Sequence, residues 1–82
     1  MSLAPHDVRE VLRTSLASIA PEADLAGVPG DAELAEELEL DSMDLLNLVT
    51  AVAERTGVEV PERDYPEVAT LDGWIDYLTA RT

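Results

Sequence analysis

Apolar residues recur along this chain in three blocks at helical spacing, separated by stretches in which the pattern breaks. In "PHDVREVLRTSLASIA", residues 5 to 20, Val8, Val11, Leu12, Leu16 and Ile19 form one stripe, with Arg9, Glu10 and Arg13 off it. Pro5 suits a first turn and Pro21 ends the run, so the spacing predicts a helix over 5–20. In residues 42 to 56, at about 100° per residue, Leu45, Leu46, Leu48, Val49, Val52 and Ala53 share one broad side expected to be buried. Met43, Asn47, Thr50 and Glu54 fall in a narrow strip on the other side, flanked by Asp44 and Ala51, which is expected to face solvent. Gly57 supplies a left-handed stop, with Val58 as the apolar contact that follows it. The third block opens on Thr70 as N-cap and carries Leu71, Trp74, Ile75 and Leu78, although Gly73 inside it weakens a helix.

The connections read differently. Residues 21 to 40, "PEADLAGVPGDAELAEELEL", are broken by Pro21, Gly27, Pro29 and Gly30 and form a long loop. Within it, Asp31 is a candidate cap for a short turn of helix through "AELAEEL", with Leu34 and Leu38 facing inward. A loop of this length is usually functional or packed on itself. Val58 and Val60 alternate as in a strand, but no second run exists to pair with them. Pro61 and Pro66 leave space for one helical turn between them. The expectation is a single all-α domain over residues 1–82. It is a four-helix bundle of three longer helices plus a short third helix, with a long first loop. Met1 to Leu3 carry no weight in this expectation.

Charge changes the picture of partners more than of fold. Eighteen Asp and Glu face five Arg and no Lys, a formal net charge of -13. Such a chain repels phosphate backbones and anionic lipid surfaces, which argues against nucleic acid and against membrane docking. Protein partners with basic patches are the expected counterpart, although acidity also serves solubility alone. No run of about 18 apolar residues is present to span a bilayer. No basic start followed by an apolar core marks a secretory signal, so the cytoplasm is the expected location. A small, highly charged bundle is expected to be a monomer.

Little in the chain supports catalysis. There is no cysteine, so disulfides and thiolate metal sites are excluded, and any thiol must arrive on an attached group. His6 is the single histidine, beside Pro5 near the terminus, where it makes a poor general base. The stretch 31 to 44 holds seven acids without the alternating ligands and central glycine of an EF-hand loop, so it offers at most weak divalent binding. Ser42 stands out instead, between Asp41 and the first apolar residues of the second block. It can serve as a helix cap, worth about 1 kcal/mol. Asp41 caps equally well, however, and Asp41 and Asp44 both suit the positive end of a helix dipole. Below Ser42 the exposed strip begins with Met43, an apolar side chain that suggests a contact surface.

"LELDSMDLLNLVTAVAERTGVEVP" resembles the signature of acyl carrier proteins: Asp-Ser-Leu/Met, an apolar helix, then an exit toward a Val-Pro pair. The resemblance extends to the first helix, the long acidic loop, the short third helix and the final "ATLDGWIDYL". It implies a non-catalytic carrier in which Ser42, within a motif that includes Asp41, is esterified to 4'-phosphopantetheine by a transferase that uses coenzyme A. Acyl groups would then ride as thioesters to enzymes of fatty acid, lipid or polyketide-type biosynthesis, and the bundle interior would shelter an acyl tail. Positions matching the family's docking face are Met43, Asp44, Asn47, Thr50 and Glu54, together with Asp41. The departures are Glu39 where a glycine is common, Asn47 for an acid, Thr50 for an apolar residue and Thr56 for a large apolar one. They point to a specialised pathway at least as much as to housekeeping fatty-acid synthesis. Two alternatives stand beside this. One is an aminoacyl carrier, since D-alanyl carriers also show "DSM", whereas peptidyl carriers usually show Gly-Gly-His/Asp-Ser. The other is an acidic helical interaction module in which Ser42 is only a cap.

Overall fold

The computed structural model describes residues 3–82; Met1 and Ser2 lie outside the described residues. Four α-helices form: α1 (Pro5–Ile19), α2 (Leu34–Glu37), α3 (Ser42–Thr56) and α4 (Leu71–Arg81). Two 3-10 segments, Leu25–Gly27 and Glu62–Val68, complete the order between α1 and α2 and between α3 and α4. The fold is all-α, as the periodicity indicates; among the described residues the only β-type pairing is an isolated antiparallel bridge between Glu33 and Thr70.

α1 is the central packing element, lying against both α3 and α4. Its stripe delivers Val8, Leu12 and Leu16 to the core with essentially no exposure, while Val11 and Ile19 pack at the edge. Pro5 occupies the first turn and the Asp7 carboxylate accepts from the Ala4 N–H at 3.0 Å. Ser15 is also fully buried, and among the described residues its Oγ finds no hydrogen-bond partner. Facing α1, α3 contributes Leu48 and Val52, and α4 contributes Leu71, Trp74, Tyr77 and Leu78. The expected stop and start hold: Gly57 ends α3 with φ 76 and its N–H reaches the Ala53 carbonyl at 2.8 Å, and the Thr70 hydroxyl caps α4 by accepting from the Gly73 N–H at 2.9 Å.

Three expectations need correction. Asp31 does not cap α2; it lies in a turn closed by Ala32 N–H to Pro29 C=O at 3.1 Å, and the extended residue before α2 is Glu33. The reason is tertiary, because backbone bonds from Leu34 N–H to Ala69 C=O and from Asp72 N–H to Gly30 C=O, both 2.9 Å, tie the long loop to the start of α4. The short third helix does not stop at Pro66 but runs as 3-10 from Glu62 to Val68, a tighter winding that accommodates the ring. Leu46, expected to be buried, is 46% exposed, because α1 packs against α3 and the residues of α3 that become fully buried are Leu48 and Val52. Val58 and Val60, which have no run to pair with, form no strand, as expected, and Val60 is buried.

The Glu62–Val68 segment is fastened to α4 by side chains. The Tyr77 hydroxyl donates to an Asp64 carboxylate oxygen at 2.7 Å, and the Arg81 guanidinium lies 3.5 Å over the Tyr77 ring. That hydrogen bond, with burial adding to it and the nearby Arg81 charge opposing, raises the phenol above its ordinary value near 10. The neutral phenol is thus favoured in the folded state, while the unfolded chain ionises first. Its stabilisation is whole below pH ~10 and is lost as pH rises toward the folded value. Denaturant melts between pH 9 and 12 should therefore show a steeper stability loss for the native chain than for Tyr77→Phe.

Candidate functional site

The site is assembled where α2 turns into α3. α2 ends in a Schellman motif: the Leu40 N–H reaches the Ala35 carbonyl at 2.9 Å and the Glu39 N–H the Glu36 carbonyl at 3.4 Å. The residue at its left-handed position is Glu39, with φ 53, which explains why glycine suits this position better. Glu39→Gly is accordingly expected to raise stability by up to about 1 kcal/mol in urea unfolding, against the usual penalty for adding glycine. Leu40 follows into the core beside Leu34, and this anchor orients the next three residues outward.

Asp41, not Ser42, caps α3. Its carboxylate accepts from the Asp44 N–H at 2.8 Å, while the Asp44 carboxylate accepts from the Asp41 N–H at 3.4 Å, a reciprocal capping box. Ser42 is the first helical residue and is exposed, and among the described residues its hydroxyl carries no hydrogen bond. A free hydroxyl at the N-terminus of a fifteen-residue helix is placed where a phosphate ester is favoured by the helix dipole. The residues present thus fit a phosphopantetheine ester: an accessible oxygen, a helix end of the right polarity, and a cap that does not use the serine.

Beneath Ser42 the exposed strip is as the periodicity requires. Met43 is 63% exposed, and Asn47, Thr50 and Glu54 are exposed as well. Asp44 is only half-exposed and engaged in the capping box, so it is less free than its position on the strip implies. Leu46 joins this surface beside Met43, an apolar contribution that a simple buried face hides.

On the opposite side of α3 lies an apolar cavity of about 220 Å³. Leu45, Leu48 and Val49 form one wall, Tyr65, Pro66 and Val68 of the 3-10 segment the other, with Trp74 inside and Glu33 at the lining. The wall residue that sequence reasoning passes over is Tyr65, an aromatic between two prolines in an otherwise polar stretch. His6 stands apart from this region on the first turn of α1, well exposed, with its Nε2 3.2 Å from Asp7. Among the described residues no group of three or more His, Asp or Glu side chains is arranged to hold a metal ion, and no helix is long and apolar enough to cross a membrane.

The fold is all-α with an exposed serine at a helix start, and comparison with known proteins supplies the class. Residues 7–78 match the family described as "Phosphopantetheine attachment site", and the chain belongs to that family, the acyl carrier proteins. It is 32% identical over 73 residues to an acyl carrier protein of Campylobacter hominis, covering 89% of this chain and 86% of that one. A second relative, an acyl carrier protein of Rubrobacter xylanophilus, is 33% identical over 55 residues, or 67% of this chain and 68% of its own. The cofactor of the family is 4'-phosphopantetheine, held covalently.

Proposed function

We propose that Ser42 is the attachment residue and that this chain is a non-catalytic carrier of acyl groups for biosynthetic enzymes. The observation that carries the assignment is the division of labour at the start of α3: Asp41 caps the helix, leaving the exposed Ser42 hydroxyl without a structural task. When bound, the pantetheine arm supplies the thiol that a cysteine-free chain lacks, so that acyl groups travel as thioesters. The chain itself provides the exposed oxygen, the helix end that suits a phosphate, and a docking face for its partners.

The apolar cavity favours acyl cargo over aminoacyl cargo. Each methylene buried among Leu48, Val49, Val68 and Trp74 gains about 0.8 kcal/mol, a gain that grows with the length of an aliphatic acyl chain. Partners are a phosphopantetheinyl transferase and the enzymes that load and transfer acyl groups, approaching with basic patches as a net charge of -13 invites. A single domain acting as a monomer in the cytoplasm fits this role. Glu39, Asn47, Thr50 and Thr56 fit a specialised lipid or polyketide-type pathway at least as well as housekeeping fatty-acid synthesis.

The direct test is intact mass after incubation with coenzyme A and a broad-specificity phosphopantetheinyl transferase. A gain of one phosphopantetheine supports the carrier role; no gain with several such transferases refutes it. Docking along Met43, Asn47, Thr50 and Glu54 has its own test. Glu54→Lys, at an exposed position outside the capping box, should raise the transferase KM about fivefold at low salt. The melting temperature should stay unchanged, and added salt should shrink the difference between the two proteins. Asp44→Lys is less clean, because it also removes half of the box around Asp41.

A further inference from the structure

The apolar cavity and a surface groove outside it share two lining residues, Val49 and Tyr65. The groove follows α3 past Leu46 and Ala53 and is floored by Val60 and Pro61. Val49 is held in the middle of a long helix. Tyr65 is half-buried on the 3-10 segment, which packs principally on α4, so it is the part of the partition able to move. Its neighbour Asp64 is the residue that Tyr77 fixes by the 2.7 Å hydrogen bond. The pin therefore lies one residue away from the partition.

We infer that Tyr65 sets the length of acyl chain that this carrier encloses, with Asp64 and Tyr77 as the pair that positions it. The inference rests on the carrier role proposed above. A cavity of roughly 150 Å³ holds the six carbons of benzene, so by proportion 220 Å³ holds about nine. Up to that length, each added methylene leaves water and strengthens enclosure by about fourfold. A longer chain meets the Tyr65 ring. Continuing requires the ring to swing aside, after which the chain enters the groove over Val60 and Pro61.

Two measurements test this. Trp74 is the sole tryptophan, 1% exposed and within the cavity, so acrylamide quenching of the apo-protein reports whether the partition is closed. Tyr65→Ala should raise the quenching constant at least threefold, Tyr65→Phe should leave it unchanged, and Asp64→Asn or Tyr77→Phe should fall between. Thermal melts by circular dichroism identify any variant unfolded at the assay temperature, and Tyr65→Val replaces Tyr65→Ala if needed. Equal quenching in the native chain and in a folded Tyr65→Ala or Tyr65→Val overturns the partition.

The second measurement uses acyl-coenzyme A of 4 to 14 carbons with the transferase, with loading confirmed by intact mass before the thioester is challenged with hydroxylamine. Cleavage should slow with chain length up to about nine carbons in the native protein and then level. In Tyr65→Ala that break should move to chains longer by four carbons or more. An identical break in both proteins overturns the length limit. Failure to load at all overturns the carrier role and the length limit with it, while the quenching result still judges the partition on its own.

Discussion

Ser42→Ala is expected to abolish the phosphopantetheine mass gain completely while changing stability by no more than about 0.5 kcal/mol. Loss of loading follows because no other oxygen occupies the first helical position of α3. The small stability effect follows because Asp41 accepts from the Asp44 N–H and Asp44 answers to the Asp41 N–H, so capping does not pass through the serine. Alanine is also an excellent residue inside a first turn. Asp41→Ala provides the converse control, expected to lose about 1 kcal/mol of stability by removing the cap. Intact mass and urea unfolding on the two variants separate the roles. A Ser42→Ala protein that still gained the full mass would place attachment elsewhere. One that lost stability as Asp41→Ala does would make the serine a cap after all.

Gly73→Ala should be strongly destabilising, by about 1–3 kcal/mol, or a fall of some 4–8 °C in melting temperature for each kcal/mol. Helix propensity alone gives the opposite sign, since alanine inside a helix is favoured over glycine by about 1 kcal/mol. Packing decides. A β-carbon at position 73 would meet the backbone carbonyl oxygen of Glu67 well inside van der Waals contact, and would stand 3.1 Å from the Thr70 Oγ1 that caps α4. A backbone carbonyl cannot rotate away as a flexible side chain can. The close approach of Glu67 is how the 3-10 segment seats against α4 and forms the cavity wall. Thermal melts of the two proteins check the sign directly; a stabilised Gly73→Ala would show that the segment is free to move off.

How much of this was legible beforehand varies by element. The three long helices follow from their stripes, with Pro5, Gly57 and Thr70 at or beside their ends. The attachment candidate was equally legible, because a capping aspartate, a serine and the start of an apolar helix are consecutive in the chain. Less visible was the 21–40 connection. Asp31 looked like a cap from its neighbours alone, but Leu34 bonds to Ala69 and Asp72 to Gly30, partners some 35 to 42 positions away. Leu46 was misplaced for a related reason: a helical wheel shows which residues share a side, not how much of that side another helix covers.

The sequence by itself determined the class of fold, the exposed strip from Met43 to Glu54 and the serine at its head. These depend on local spacing and on backbone groups within a turn or two of each other. Only the tertiary structure decided that the long loop is tied to the start of α4, that Leu46 stays exposed, and that Tyr65 lines both a cavity and a groove. Periodicity assigns residues to faces, but a cavity is the space left between faces. Its walls come from α3, the 3-10 segment and α4, and their separation is set by contacts such as Gly73 with Glu67 and Tyr77 with Asp64.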